Sequence, residues 1–202
     1  MQNQQLTSDI QAYVTELYDQ NQTPDLVYHN LAHTRRVVKR TIEIASNYEL
    51  DSKNLFIVTA AAWFHDCGHL FGCAENHEDR SGRMMRNYFE DKDTEENTLQ
   101  AIEHCIRSTE LPNKPESLLE EILCDADTYH FATDEFLQTN KMVKREFELR
   151  NHVYPSNWND ETLSLLEQHV FFTGYCKNLL EEGKLKNIEI LRKFINDRSV
   201  NK

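Results

Sequence analysis

The sequence predicts an all-α fold, and three observations carry that prediction. The chain has 202 residues, 39% hydrophobic and 28% charged, a balance typical of a globular unit with one substantial core. It contains only 5 Gly and 4 Pro, fewer turn residues than a succession of short strands would need. Its apolar residues recur at helical spacing in several long segments. We therefore expect a single-domain helical bundle over residues 1–202.

The first third of the chain is expected to form three helices. Apolar periodicity and capping residues place them at about residues 10–21, 31–47 and 52–64, the first beginning after the capping cluster Thr7-Ser8-Asp9 and the third capped by Asp51 or Ser52. The third helix is apolar nearly all round, which predicts burial at the domain centre. It delivers His65 and Asp66 at its C-terminal end, just before Gly68.

The remaining two thirds are expected to form six or seven more helices. Four are predicted at residues 76–88, 94–108, 116–129 and 133–150, with Pro112, Pro115 and Pro155 at boundaries. Residues 160–195 are predicted to form two or three helices, interrupted around Gly174 and Gly183.

Charge and cysteine content exclude several function classes. The formal net charge is -12 and the pI about 5.2, so the field of the whole molecule repels nucleic-acid backbones and no duplex binding is expected. The start of the chain lacks a basic, apolar leader, and no apolar run approaches the roughly 20 residues of a membrane span. We expect a cytoplasmic protein with no membrane partner. Its five irregularly spaced cysteines, without a CxxC pair, are expected to be reduced and mostly packed.

Histidines and acids cluster beside predicted helix ends. His29, His33, His65, His69 and His77 all fall in the first two-fifths of the chain. Imidazole and carboxylate together form the ligand set of Zn, Mn and Fe. Adjacent residues on a regular helix point about 100° apart, so a His-Asp pair can share one ion only at a helix end. Taken alone, a His-Asp dipeptide more often supplies a core histidine and a capping acid.

Along the chain, His33 is followed by the pair His65-Asp66 and, much later, by Asp127 in Ala-Asp-Thr-Tyr. This order resembles the motif order of the HD superfamily of phosphohydrolases. The resemblance covers about residues 28–129 and implies that these four residues hold one divalent ion inside a helical bundle. Asp127 matches the pattern better than Asp125. We accordingly expect an HD-type bundle with a metal-site core at about 28–130 and a C-terminal helical cover at 131–202.

Some members of that superfamily bind a second ion through two further histidines, and His77 and His104 match those places. The resemblance therefore implies one or two divalent ions, drawn from Mn, Fe, Zn, Co, Ni and Mg. The alternative for His104 is a surface or core histidine on an amphipathic helix. Arg80, three residues after His77, is a candidate for binding the phosphate, as are Arg35 and Arg36, and each is equally well interpreted as a solvated arginine.

The segment Tyr28-His29-Asn30-Leu31-Ala32-His33 resembles the Tyr-His-Asn-x-x-His motif of class I cyclic-nucleotide phosphodiesterases. There the first histidine protonates the leaving oxygen, which implies that role for His29. The same family has a histidine three positions after its His-Asp pair, where His69 stands here, so either residue is a candidate for the general acid. The overall layout is most similar to bacterial proteins described as predicted metal-dependent HD phosphohydrolases.

These observations predict an enzyme. We expect a metal-dependent phosphohydrolase that cleaves a small phosphate ester, a nucleotide above all, by in-line attack of a metal-activated water, with Asp66 central to catalysis. One alternative is a cyclic-nucleotide phosphodiesterase. Another, from a different class, is a non-catalytic sensor that binds a nucleotide or a metal. A homodimer is left open.

Overall fold

A computed structural model describes residues 2–200, and the regular elements in that range are all helical. The helices are α1 (Gln2–Asn21), α2 (Leu31–Ala45), α3 (Ser52–Phe64), α4 (His77–Phe89), α5 (Glu96–Arg107), α6 (Leu118–Thr128), α7 (Phe136–Asn151), α8 (Trp158–Gln168) and α9 (Gly174–Val200). Two short 3-10 segments, Cys67–Phe71 and Tyr129–Ala132, follow α3 and α6. The prediction of an all-α bundle is confirmed.

Helix α3 lies at the centre of the bundle. Its residues from Phe56 to Phe64 are all buried, and α1, α2, α5 and α6 pack around it. A helix that is apolar on every side has no face to offer to water, so surrounding it with other helices is what stabilises it. The residues that follow α3, His65 and Asp66, therefore emerge in the interior of the protein.

Side-chain caps fix where several helices begin. Asn30, Asp51 and Ser117 cap α2, α3 and α6, each accepting a hydrogen bond from a backbone N–H in the first turn. The expected start of α1 after residue 9 is wrong, because α1 already runs from Gln2. The hydroxyls of Thr7 and Ser8 donate to carbonyls four residues earlier, so both residues lie within the helix.

The last helix corrects one predicted boundary. Helix α9 begins at Gly174, as expected, but it continues through Gly183 without a break. A Cβ atom at Gly183 would lie 2.1 Å from the backbone oxygen of Ala132. The glycine is therefore explained by the close approach of α9 to the segment Tyr129–Ala132, and not by a helix end.

This close approach predicts a large difference between two glycine substitutions on α9. Gly183→Ala should lower the free energy of unfolding by about 1–3 kcal/mol, because the new methyl group meets fixed backbone. Gly174→Ala is the matched control, since its Cβ would only approach Tyr48 Oη at 3.9 Å. Urea unfolding of both variants measures the difference, and equal stabilities would contradict the packing argument.

Two further expectations concern cysteines and membranes. The five cysteines are all free thiols; Cys73 is exposed and the other four are buried, as predicted for packed, reduced residues. Within residues 2–200, no helix combines the length and the apolar character required to cross a lipid bilayer.

Candidate metal centre

The four side chains predicted to share the first ion come from the ends of three helices. His33 lies in the first turn of α2, where Asn30 Oδ1 accepts its backbone N–H at 3.1 Å. Asp127 lies in the last turn of α6. His65 and Asp66 follow α3, and Asp66 departs from helical geometry with φ -105° and ψ 1°. Because the regular helix ends here, the two adjacent side chains can turn toward one point.

The structure brings these four side chains together. His33 Nε2 lies 3.2 Å from Asp66 Oδ2 and 3.2 Å from Asp127 Oδ1. His65 Nε2 lies 3.2 Å from Asp66 Oδ2 and 3.7 Å from Asp127 Oδ1. Among the described residues, however, His33 Nε2, His65 Nε2 and Asp66 Oδ2 are buried without a hydrogen-bond partner. Buried polar atoms that converge without bonding one another are what a cation site requires.

The hydrogen bond of His65 prepares it as a ligand. Its Nδ1 lies 2.8 Å from the carbonyl oxygen of Ala62 and must donate to it, because a carbonyl can only accept. In the neutral ring this leaves a lone pair on Nε2, the atom that faces the carboxylates. Anchoring the second nitrogen in this way is the usual support for a metal-binding histidine. The donor set therefore fits a divalent transition metal.

The electrostatics of the site keep its carboxylates ionised. Burial alone would raise the pKa of Asp66, but His65 and the neighbouring His33 hold it well below its ordinary value. The pKa of Asp127 is likewise lowered by His33 and His65, against the effect of burial. Both groups are thus anionic at neutral pH, which gives a buried negative site for a cation.

A second group of nitrogens faces the other oxygen of Asp66. His77 Nε2 lies 3.4 Å and His69 Nε2 3.9 Å from Asp66 Oδ1. Nitrogen atoms of His29 and His69 and an oxygen of Asp66 also lie within 4.8 Å of one another. The carboxylate of Asp66 is therefore shared, with one oxygen in each group. Gly68 permits this arrangement, because a Cβ atom there would lie 2.1 Å from the backbone oxygen of His77.

The three rings of this second group are stacked, with His69 in the middle. Ring centroids of His29 and His69 are 4.2 Å apart, and those of His69 and His77 are 3.9 Å apart. His77 Nδ1 lies 2.9 Å from the carbonyl oxygen of Ala74 and donates to it. As in His65, this leaves Nε2 with a lone pair that can bind an ion.

Glu146 on α7 is a site residue that the sequence did not reveal. Its Oε1 lies 2.5 Å from His29 Nδ1, and its Oε2 accepts the backbone N–H groups of Tyr28 at 2.8 Å and His29 at 3.0 Å. Burial alone would raise the pKa of Glu146, but these contacts, above all that with His29, lower it. The buried carboxylate therefore holds the proton of His29 on Nδ1 and directs Nε2 into the site.

Arg150 lies one turn further along α7 and places the proton of His69 on Nε2, whereas Glu146 places that of His29 on Nδ1. Its Nη1 lies 2.9 Å from His69 Nδ1, and its Nη2 donates to the carbonyl oxygens of His69 and Gly72. A guanidinium can only donate, so Nδ1 of His69 must accept and the neutral ring carries its proton on Nε2. Burial and the neighbouring His29 lower the pKa of His69 far below its ordinary value, which keeps the ring neutral.

Two predicted site residues are placed elsewhere. The guanidinium of Arg80 donates to the backbone oxygens of Gly68, Cys73 and Glu75, so it binds the loop between α3 and α4 and not the site. His104 is exposed on α5 and belongs to neither group of candidate ligands among the described residues. The structure brings His69, and not His104, to the side of His77.

A cleft of about 250 Å³ opens beside the two groups, with His29 and Asp127 in its wall. The family model described as HD domain matches residues 30–132. The chain belongs to the HD family. The matched residues include six side chains of the two groups: His33, His65, Asp66, His69, His77 and Asp127. Glu146 and Arg150 lie outside the matched residues. No curated protein and no solved structure matches the chain significantly.

HD domains are typically metal-dependent phosphohydrolases, and the chemistry expected of the family agrees with the donor set found here. The His and Asp groups of this HD domain can hold a divalent ion.

Proposed function

We propose that the protein is a metal-dependent phosphohydrolase that cleaves a nucleotide or a related small phosphate ester. One observation carries the proposal: His33 Nε2, His65 Nε2 and Asp66 Oδ2 converge in the interior without hydrogen-bond partners among the described residues. A purely structural module has no reason to bury three such atoms unsatisfied, since each costs on the order of 1–3 kcal/mol.

In this proposal His33, His65, Asp66 and Asp127 would hold the first ion, and His77 together with Asp66 would hold another. When bound, the ions supply Lewis acidity for the phosphate and activate water as the nucleophile. In the neutral rings of His65 and His77, the hydrogen bonds to Ala62 and Ala74 place the proton on Nδ1 and leave the lone pair on Nε2. Asp66 would therefore contribute to both ion positions.

We assign the leaving-group proton to His29 and not to His69. His29 lines the cleft beside Asp127, and the carboxylate of Glu146 accepts the proton of its Nδ1, which turns Nε2 toward the site. Such a ring can give up a proton from Nε2 to an ester oxygen. His69 is held neutral with its proton on Nε2, so it serves better as a hydrogen-bond donor that steadies bound oxygens.

Arg36 is our candidate for the phosphate contact in place of Arg80. It lines a small cavity of about 50 Å³ together with His33 and Asp127. Within the described part of the chain, Arg36 makes no ion pair, although the protein carries a net charge of -12. A guanidinium that makes no ion pair and lies beside two candidate ligands can donate to two phosphate oxygens at once.

Metal removal and reloading test the proposal. Protein stripped with a chelator should lose its hydrolytic activity and recover it when Mn, Mg, Fe, Co, Ni or Zn is returned, because the nucleophile depends on the ion. The screen should contain nucleoside monophosphates, 3',5'-cyclic nucleotides and simple phosphodiesters. Turnover of the cyclic substrates alone would favour the phosphodiesterase alternative. Tight metal binding without any turnover would favour a sensor and contradict the proposal.

A further inference from the structure

The cleft beside His29 and Asp127 has the character of a small-molecule site. Away from those two residues its wall is mostly apolar, formed by Leu111, Phe131, Phe136, Val143, Trp158 and Leu165. Concave, mainly apolar surfaces with a few polar groups are typical of sites that enclose an organic ligand. Because His29 and Asp127 stand in the same wall, a ligand in the cleft also reaches the candidate metal centre.

Asn140 is a polar residue of this wall, and the orientation of its side-chain amide is determined by its partners. Trp158 Nε1 lies 2.8 Å from Asn140 Oδ1, and Thr162 Oγ1 lies 3.2 Å from the same oxygen. An indole N–H can only donate, so the amide must present its oxygen to Trp158 and cannot be turned around. No hydrogen bond from Asn140 Nδ2 to a described residue is found. The amide group can therefore offer the cleft only donors.

We propose that the cleft binds a planar ring carrying a carbonyl oxygen, of the kind found in uracil, thymine, guanine and hypoxanthine, and that Asn140 Nδ2 selects this ring by donating to the carbonyl. The indole of Trp158 and the neighbouring phenyl rings supply flat apolar surface for such a ring. Rings that carry an amino group at the same place, as in cytosine and adenine, set donor against donor and are rejected by about tenfold or more.

This specificity rests on the proposed function in one respect. The ions would hold the phosphate while the ring occupies the cleft. Recognition of the ring itself requires neither the ions nor hydrolysis. Free nucleosides are therefore suitable probes, because they lack a phosphate. A result obtained with them stands or falls independently of the phosphohydrolase activity.

Tryptophan fluorescence provides the readout. The chain has two tryptophans, Trp158 in the cleft wall and Trp63, which is 4% exposed on the central helix α3. Uridine, cytidine, inosine and adenosine are titrated in turn, with excitation at the red edge of indole absorption. Wild type should bind uridine and inosine at least about tenfold more tightly than cytidine and adenosine.

Variants of Asn140 assign the preference to the amide. Asn140→Asp replaces the donor with an acceptor of the same shape and should reverse the preference, whereas Asn140→Ala should abolish it without adding charge. Gln138→Glu, at an exposed position of the same helix, adds the same charge outside the cleft and should leave the preference unchanged. Circular dichroism checks the fold, and the alanine variant decides if the aspartate variant is unfolded.

Three results would overturn the inference: equal affinity of wild type for all four nucleosides, a preference that survives both Asn140 substitutions, or no nucleoside binding at millimolar concentration. If metal-dependent hydrolysis persists in any of these cases, the ring specificity fails and the phosphohydrolase proposal stands. If nucleosides bind as expected but nothing is hydrolysed, the ring specificity stands and the phosphohydrolase proposal fails.

Discussion

Asp66→Ala should remove both metal binding and turnover, with activity reduced more than about a thousandfold. The reason is the position of this one carboxylate between the two groups. Its Oδ2 lies 3.2 Å from the Nε2 atoms of His33 and His65, and its Oδ1 lies 3.4 Å from His77 Nε2. Its loss therefore disrupts both groups at once. Elemental analysis and steady-state kinetics measure the two effects on the same preparations.

Thermal unfolding separates a lost ion from a damaged fold. Wild type should gain stability when metal is added, because a ligand that binds only the folded state shifts the equilibrium toward it, and Asp66→Ala should gain none. Asp91→Ala, which removes an exposed carboxylate, is the matched control and should behave like wild type. Stoichiometric metal in the Asp66→Ala protein, or activity within tenfold of wild type, would show that the centre has been assigned incorrectly.

Replacement of His29 should give the second large effect, one that depends on the leaving group. His29→Ala should lower kcat by about 10²–10⁴-fold for a nucleotide, whose alkoxide leaving group needs a proton. For a p-nitrophenyl ester, whose phenolate leaves unaided, the loss should be much smaller. Glu146→Gln should show the same pattern more weakly, because the 2.5 Å contact with His29 Nδ1 is retained without the charge.

Substitution of other histidines makes this test specific. His104→Ala removes an exposed imidazole and should change neither substrate's kcat. His69→Ala should affect the two substrates equally if it only steadies bound oxygens. A leaving-group dependence in His69→Ala, together with its absence in His29→Ala, would reassign the general acid to His69.

The sequence predicted those parts of the structure that depend on residues close together in the chain. The apolar run of α3 predicted its burial, and the Asn30 and Asp51 caps mark starts that the sequence placed within a residue or two. Gly183 misled the prediction, because a glycine in a helix is indistinguishable from a helix end until the neighbouring backbone is known. The expected division into a core and a C-terminal cover, like the cytoplasmic location and the homodimer, stays a prediction.

The candidate site was predictable only where motif order revealed it. His33, His65, Asp66 and Asp127 follow a recognisable order along the chain, and the structure brings them together. Glu146 and Arg150 follow no such order. They stand four residues apart on a helix, which in a sequence is typical of an ordinary surface ion pair, and their partners His29 and His69 are 117 and 81 residues away. Contacts between residues so far apart in the chain produce no pattern of neighbouring residues in the sequence.

Helix α7 carries Asn140, Glu146 and Arg150, and it begins at Phe136, after the residues that match the HD family. Most of the candidate metal ligands are thus encoded by one stretch of the gene, and the side chains that hold His29 and His69 are encoded by a later one. Replacing α7 with another sequence would leave the inherited histidines and aspartates in place but remove the side chains that orient two of the histidines.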